Sequence, residues 1–180
     1  MALCNVLVEG VSGTGKTSVA EELERRGFHV VHGDRTLAYV GDPETGAPVA
    51  RPADLTGVDL MRWSQAHHLW DVEQVESHIA DRTRPVTFFC GGSRNFASYI
   101  ERFDAVFVLD VDATTLDDRL RRRPSDEFGG GPGEREFVLS LHATRQDVPH
   151  TGITVDAGAP VAEVVDAILA RCGLPTELAQ

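Results

Sequence analysis

The sequence predicts an α/β fold, a parallel sheet covered by helices on both faces, and three observations carry that prediction. Five short apolar runs alternate with stretches of helical spacing from one end of the chain to the other, and parallel strands need the crossover connections that such alternation supplies. The fourth run, Ala105–Val111, is apolar enough for a strand buried on both faces. A glycine-rich turn lies between the first run and the first helix, where open α/β sheets place ligands. With 180 residues, 42% of them apolar and 25% charged, the chain has the size and composition of one globular domain, residues 1–180.

The elements follow in order. Leu3–Val8 reads as a buried strand, and a helix runs from about Thr14 to Arg26, where Gly27 stops it. His29–His32 is a second short strand ending at Gly33 and Asp34. From about Arg35 to Gly57, extending toward residue 60, prolines and glycines give loop composition, and a loop of that length in a compact domain is more often functional than idle. Leu60 to about Asp81 has helical spacing, which predicts one helix. Val86–Cys90 is the third strand, Phe96–Arg102 a short helix and Ala105–Val111 the fourth strand. Asp112 is a good N-cap for a helix over Ala113–Arg122, which Pro124 ends. After the glycine-rich segment Phe128–Gly133 come a helix over Glu134–Gln146, a fifth strand at Ile153–Val155 and a last helix at Val161–Arg171.

Composition narrows the function. The net charge of −11 argues against nucleic acid as a partner, because the phosphate backbone rewards clustered Lys and Arg. Three widely spaced cysteines, Cys4, Cys90 and Cys172, have no zinc-site spacing and suit a reducing compartment. No run approaches the roughly 20 apolar residues of a membrane span, and the N-terminus has no leader pattern. A cytoplasmic protein without a membrane partner is the expectation, and the pattern suits a monomer or a homodimer alike.

Gly10-Val11-Ser12-Gly13-Thr14-Gly15-Lys16-Thr17 satisfies G-x-x-x-x-G-K-[ST], the Walker A pattern or P-loop. Its glycines let successive backbone N–H groups converge on a phosphate, and the following helix points its positive end at the same anion. Lys16 can reach the β- and γ-phosphates, and the Thr17 hydroxyl can coordinate Mg²⁺. Gly10, Ser12, Gly13, Thr14, Gly15, Lys16, Thr17 and Ser18 are therefore the candidate nucleotide-binding residues. The third strand ends in Cys90-Gly91-Gly92, without the Asp of a Walker B motif, and no guanine-reading Asn-Lys-x-Asp segment occurs, which points away from motors, GTPases and transporters.

In Val8 to Ala20, in Asp34-Arg35, in Ala105 to Asp110 leading into Thr115 to Arg123, and in Ile153 to Pro160, the chain resembles the small-kinase branch of P-loop proteins, which holds adenylate, shikimate, gluconate and nucleoside kinases. The resemblance runs through the whole chain, although only the phosphate loop is a sharp motif. It implies a P-loop NTPase three-layer sandwich, a five-stranded parallel sheet in the order 2-3-1-4-5, and a lid at about residues 119–135. It also implies ATP and Mg²⁺, and an adenine-side loop containing Ala157 and Pro160.

Asp34, just past the second strand, is the candidate to take the proton of an acceptor hydroxyl and a second candidate at the metal, or else a turn residue after Gly33. Arg35 beside it would bind an acidic acceptor or face solvent. Gly91 and Gly92 would admit a substrate close to the backbone, and Arg94 offers a planar fork for phosphate or carboxylate. Arg119, Arg122 and Arg123 share a helical face; Arg119 and Arg123 match the lid positions best and would stabilise charge on the transferred group. The indole of Trp63 would stack on a flat acceptor or belong to the core, whereas that of Trp70 reads as core. Asp110 and Asp112 are further metal-side candidates, Asp112 being better explained as a cap.

The expected activity is transfer of the γ-phosphoryl group of Mg-ATP to a hydroxyl or phosphate of a small molecule. A nucleoside or nucleotide stands first among acceptors, with a sugar acid, a shikimate-like polyol or an antibiotic behind it. The alternative is a nucleotide-dependent switch or sensor ATPase acting on a protein partner.

Overall fold

The computed structural model describes residues 4–125, 127–131 and 133–178. Strands β1 (Cys4–Gly10), β2 (His29–His32), β5 (Val86–Cys90), β6 (Ala105–Asp110) and β7 (Ile153–Asp156) form one sheet in the order β2-β5-β1-β6-β7. Every pairing is parallel, with Val6 opposite Phe88, Val31 opposite Phe89, Val8 opposite Phe107 and Leu109 opposite Val155. Counted without the two intervening strands, the order is the expected 2-3-1-4-5. Leu3, expected to open the first strand, lies outside the described residues.

Two strands were not anticipated. β3 (Ala38–Val40) and β4 (His68–Trp70) form their own antiparallel ribbon, with Tyr39 opposite Leu69. The helix expected over 60–81 is therefore two, α3 (Gly57–Ala66) and α4 (Val72–Ala80), with β4 between them. Asp71 marks the restart: its side chain accepts from the Gln74 amide at 3.1 Å, an ordinary N-cap. The expected loop 35–57 begins in α2 (Gly33–Thr36) and contains β3, after which an isolated antiparallel bridge sets Gly41 opposite Pro48. The helix expected at 96–102 is two 3₁₀ turns, Phe96–Ser98 and Ile100–Arg102.

Side chains alternate across β1, and each face has its own core. Val6 and Val8 pack with Phe88, Phe107 and Leu109 beneath α1 (Lys16–Arg25), α5 (Ala113–Arg121), α6 (Glu134–Thr144) and α7 (Val161–Arg171). Leu7 packs on the opposite face with Val31, Phe89, Trp70, Val75 and Tyr99. Parallel strands thus bury both faces, as the near-continuous apolar runs require. All five sheet strands point their C-terminal ends at one edge, and the turns after β1, β2, β5 and β7 meet there.

Candidate active site

The turn after β1 is a cradle for an anion. Gly15 caps α1 in the left-handed region at φ +105°, with no side-chain acceptor, and no acidic residue lies in the first helical turn. The first-turn amides are therefore left for a ligand. A Cβ on Gly15 would meet only the Arg119 guanidinium, 3.9 Å away, so the loop stays open on the ligand side. Lys16 folds back, its Nζ donating to the carbonyls of Gly10 and Val11. Burial pulls the Lys16 ammonium below its ordinary value, against the opposing charges of Asp34 and Glu9. Thr17 and Ser18 are exposed at the helix start, whereas Thr14 is buried, its hydroxyl donating to the Val11 carbonyl at 2.8 Å.

Arg119 and Arg123 both reach this loop. Arg119 donates to the carbonyls of Thr14, at 3.2 Å, and Ala157, at 2.8 Å, so it bridges the phosphate loop and the turn after β7. Arg123 donates to the Ser12 hydroxyl, at 2.9 Å, and to the Phe128 carbonyl, joining the loop to the glycine-rich segment. Arg122, expected on their face, is exposed at the end of α5. Arg119, Arg123 and Ser12 wall a cleft of about 710 Å³ with Gly13, Lys16, Thr17, Arg35 and Glu127. On the β7 side its wall is Ala157, Ala159 and Val161. Pro160, expected there, instead caps α7, its carbonyl accepting from Glu163 and Val164.

Asp34 opens α2 at the end of β2. Its Oδ1 accepts from the Gly92 amide at 3.1 Å and the Trp70 indole at 3.3 Å, and lies 3.2 Å from His68 Nε2. The side chain is still 47% exposed, and among the described residues Oδ2 has no hydrogen-bond partner. Burial works to raise the Asp34 carboxyl, but the His68 hydrogen bond, the Lys16 charge and the Gly92 amide outweigh it and hold the pKa below the ordinary carboxylate value. Arg35 is exposed beside it.

A second cavity, of about 300 Å³, lies on the other side of Lys16 and Asp34 and is walled by Ser64, Gln65, His68, Gly92, Arg94 and Leu141 among others. The fork of Arg94, expected to take a ligand anion, is held by Asp147: one nitrogen lies 2.6 Å from its carboxylate and another donates to its carbonyl at 2.8 Å. The glycines after β5 lie against the protein's own side chains, and Gly92 also lines the second cavity. A Cβ on Gly91 would lie 2.6 Å from the Trp70 ring and 2.7 Å from Asp34 Oδ1, and one on Gly92 would lie 2.6 Å from Glu9 Oε2. They make room for the protein's own side chains. Trp70 is fully buried and Trp63 stacks on His67 with centroids 4.1 Å apart. Asp110 is taken by Arg145 and His142, and Asp112 caps α5 through Thr115. Among the described residues no cluster of three or more His, Cys, Asp or Glu could hold a metal.

Glu9 was not anticipated. It is the penultimate residue of β1 and has no exposed surface, its Oε2 accepts from the Gly10 amide at 3.3 Å, and among the described residues Oε1 has no partner. Burial pushes this carboxyl up to about 7, although Lys16 and Arg94 oppose the rise. A lone acidic residue in an apolar run immediately before a phosphate loop is the signal that would have found it.

The AAA domain family profile matches residues 6–132, from β1 into the glycine-rich segment after α5. The chain belongs to that family. It is 36% identical over 126 residues to a gluconokinase of Gluconobacter oxydans, a match that covers 66% of this chain and 64% of that protein's length. Its fold is similar to a sugar kinase of Janibacter (TM-score 0.59, 19% identity, 98% of this chain and 99% of that one). It is also similar to a shikimate kinase of Bacteroides thetaiotaomicron (TM-score 0.61, 12% identity, 96% of this chain and 100% of that one). The chain thus has the fold of the small P-loop kinases, and among its described residues no helix is long and apolar enough to cross a membrane.

Proposed function

We propose that this protein is a kinase that transfers the γ-phosphoryl group of ATP to a hydroxyl of a small polyhydroxylated acceptor, of the sugar-acid class. One observation carries the reading: the cleft at the phosphate loop and the smaller cavity meet, sharing Ser12, Lys16 and Asp34 as a common wall. A nucleotide lying along the loop amides presents its terminal phosphate at that wall, and an acceptor in the second cavity presents its hydroxyl from the other side. Phosphoryl transfer needs mainly such positioning and charge stabilisation.

Asp34 Oδ2 accepts the proton of the acceptor hydroxyl as that oxygen forms its bond to the γ-phosphorus. The bond from phosphorus to the β–γ bridging oxygen breaks, ADP leaves with the electron pair, and the proton passes from Asp34 to solvent. Lys16 and the loop amides balance the charge on the phosphates, with Arg119 and Arg123 at the cleft wall. The donor set fits Mg²⁺: an exposed Thr17 hydroxyl beside the cradle and no carboxylate cage suit an ion held mainly by phosphates and water. Thr17 would hold it, and its charge would offset that of the β- and γ-oxygens.

The sugar-acid preference rests on the cavity and the relatives. Ser64, Gln65 and His68 supply hydrogen-bonding groups for hydroxyls, and Lys16 supplies a cation. The relative at 36% identity is a gluconokinase. A nucleobase would want an open aromatic face, and both indoles are engaged within the protein. ADP release from Mg-ATP, measured with gluconate, other sugar acids, shikimate and nucleosides, tests the reading. Stimulation by a sugar acid is the expected result. Stimulation by nucleosides alone would overturn the acceptor class, and no stimulation by any acceptor would overturn transfer in favour of a switch ATPase.

A further inference from the structure

We propose that Trp70 is a positioning residue, whose indole N–H, together with the Gly92 amide and His68, fixes Asp34 Oδ1 so that Oδ2 alone faces the acceptor. The inference rests on the reading of Asp34 as the group that takes the acceptor's proton.

Asp34 has little local support. It belongs to a four-residue helix, α2, at the end of β2, which is an edge strand of the sheet. Its carboxylate is held instead by donors distant in sequence. His68 and Trp70 both come from β4, and Gly92 comes from the turn after β5. All of these hydrogen bonds end on the same oxygen. An oxygen with two in-plane lone pairs that meets three partners is saturated, so the two oxygens of Asp34 are chemically unlike. Only Oδ2 is free to accept a proton.

The indole is fixed more firmly than packing alone requires. It has no exposed surface and stacks on Tyr99, with centroids 5.7 Å apart and planes 8° from parallel. The Asn95 side chain brackets its backbone, accepting from the Trp70 amide at 3.0 Å and donating to the Trp70 carbonyl at 2.9 Å. Asn95 and Tyr99 are in turn joined through the Ser93 hydroxyl, at 2.7 Å and 2.6 Å. Gly33 and Gly91 form the walls beside the ring, where a Cβ would lie 2.0 Å and 2.6 Å from its Cζ2. A buried indole N–H needs an acceptor, and a backbone carbonyl would have served stability alone. This one reaches the half-exposed carboxylate at the wall shared by both cavities.

Four variants assayed with the acceptor found above test the proposal: Trp70→Phe, His68→Leu, His68→Gln and Asp34→Asn. Trp70→Phe keeps a stacking ring and loses the N–H. Its kcat per nucleotide-binding site is expected to fall by about tenfold to a hundredfold, the usual cost of a misplaced reacting group. KM for ATP should stay within about twofold, because the phosphate cradle is untouched. At saturating acceptor His68→Leu should also lose kcat, and His68→Gln, which keeps an N–H donor, should recover most of it. Trp70→Phe at wild-type kcat while Asp34→Asn is inactive would overturn the clamp and leave the role of Asp34 standing. Wild-type kcat in Asp34→Asn would remove the underlying reading instead. Should Trp70→Phe fail to bind nucleotide, equal kcat in His68→Leu and wild type would overturn the proposal.

Discussion

Gly33→Ala isolates the fit between the edge of the sheet and the Trp70 ring. Gly33 is buried at the start of α2 in ordinary helical backbone, so alanine should gain up to about 1 kcal/mol in local propensity. Its Cβ, however, would lie 2.0, 2.3 and 2.7 Å from three atoms of the indole. The ring cannot yield cheaply, since it stacks on Tyr99 and its backbone is bracketed by Asn95. Overpacking of a tight core costs about 1–3 kcal/mol and sometimes more, so a net loss of about 2 kcal/mol is expected. Urea unfolding of both proteins gives the difference from the shift in midpoint at constant slope. Gly57→Ala serves as the control: its φ is +54° but nothing among the described residues lies within 4 Å of the new Cβ, so the left-handed penalty of about 1–2 kcal/mol is what applies. Adding Trp70→Leu to Gly33→Ala should cost less than the two changes summed, by about 0.5–3 kcal/mol. A Gly33→Ala protein as stable as wild type would refute the reasoning, because the indole would then not be pinned against α2.

Lys16→Ala should lower kcat by at least about a hundredfold and leave the urea midpoint close to wild type; near-normal turnover would remove the phosphate loop from the chemistry. Arg119→Ala unfastens the phosphate loop from the turn after β7 and should raise KM for ATP while lowering kcat by about 10²-fold, which steady-state kinetics would read. Glu9 makes stability depend on pH in an unusual direction. Its folded carboxyl, raised from 4.5 to about 7, keeps its proton while the unfolded chain already loses one, so stability is full below about pH 4.5 and declines until about pH 7. At about 1.4 kcal/mol per pH unit, the decline over those roughly 2.5 units reaches about 3.5 kcal/mol. Glu9→Gln should abolish that slope, and parallel unfolding curves for the two proteins from pH 4 to pH 8 would contradict it.

The parts of the site that are local in sequence were legible there. The phosphate loop is eight consecutive residues, and its strand and helix fall where the motif needs them. The sheet order was reachable because five apolar runs with crossovers leave few parallel arrangements. The ribbon was not legible, because β3 and β4 pair across some thirty residues, and a periodic pattern cannot tell a strand of three residues from one more helical turn. Asp71 followed by Gln74 was the available hint of a new helix start. Trp70 read correctly as core, but the acceptor of its N–H lies in another element, and no spacing reports that. Gly91 and Gly92 looked like room for a ligand, yet the volume they leave is filled by Trp70, Asp34 and Glu9. The pairing of Arg94 was hidden for a similar reason, since its partner Asp147 lies far along the chain.

The wall common to the two cavities has a thermodynamic consequence. Ser12, Lys16 and Asp34 face both compartments, so a charge set down in either one changes the field and the hydrogen bonds met by whatever enters the other. The dissociation constants of the two substrates are therefore coupled, and the coupling is reciprocal: the factor by which the acceptor alters nucleotide affinity is the factor by which the nucleotide alters acceptor affinity. Calorimetric titration of each partner, in the presence and absence of the other, closes that cycle without a single turnover being counted.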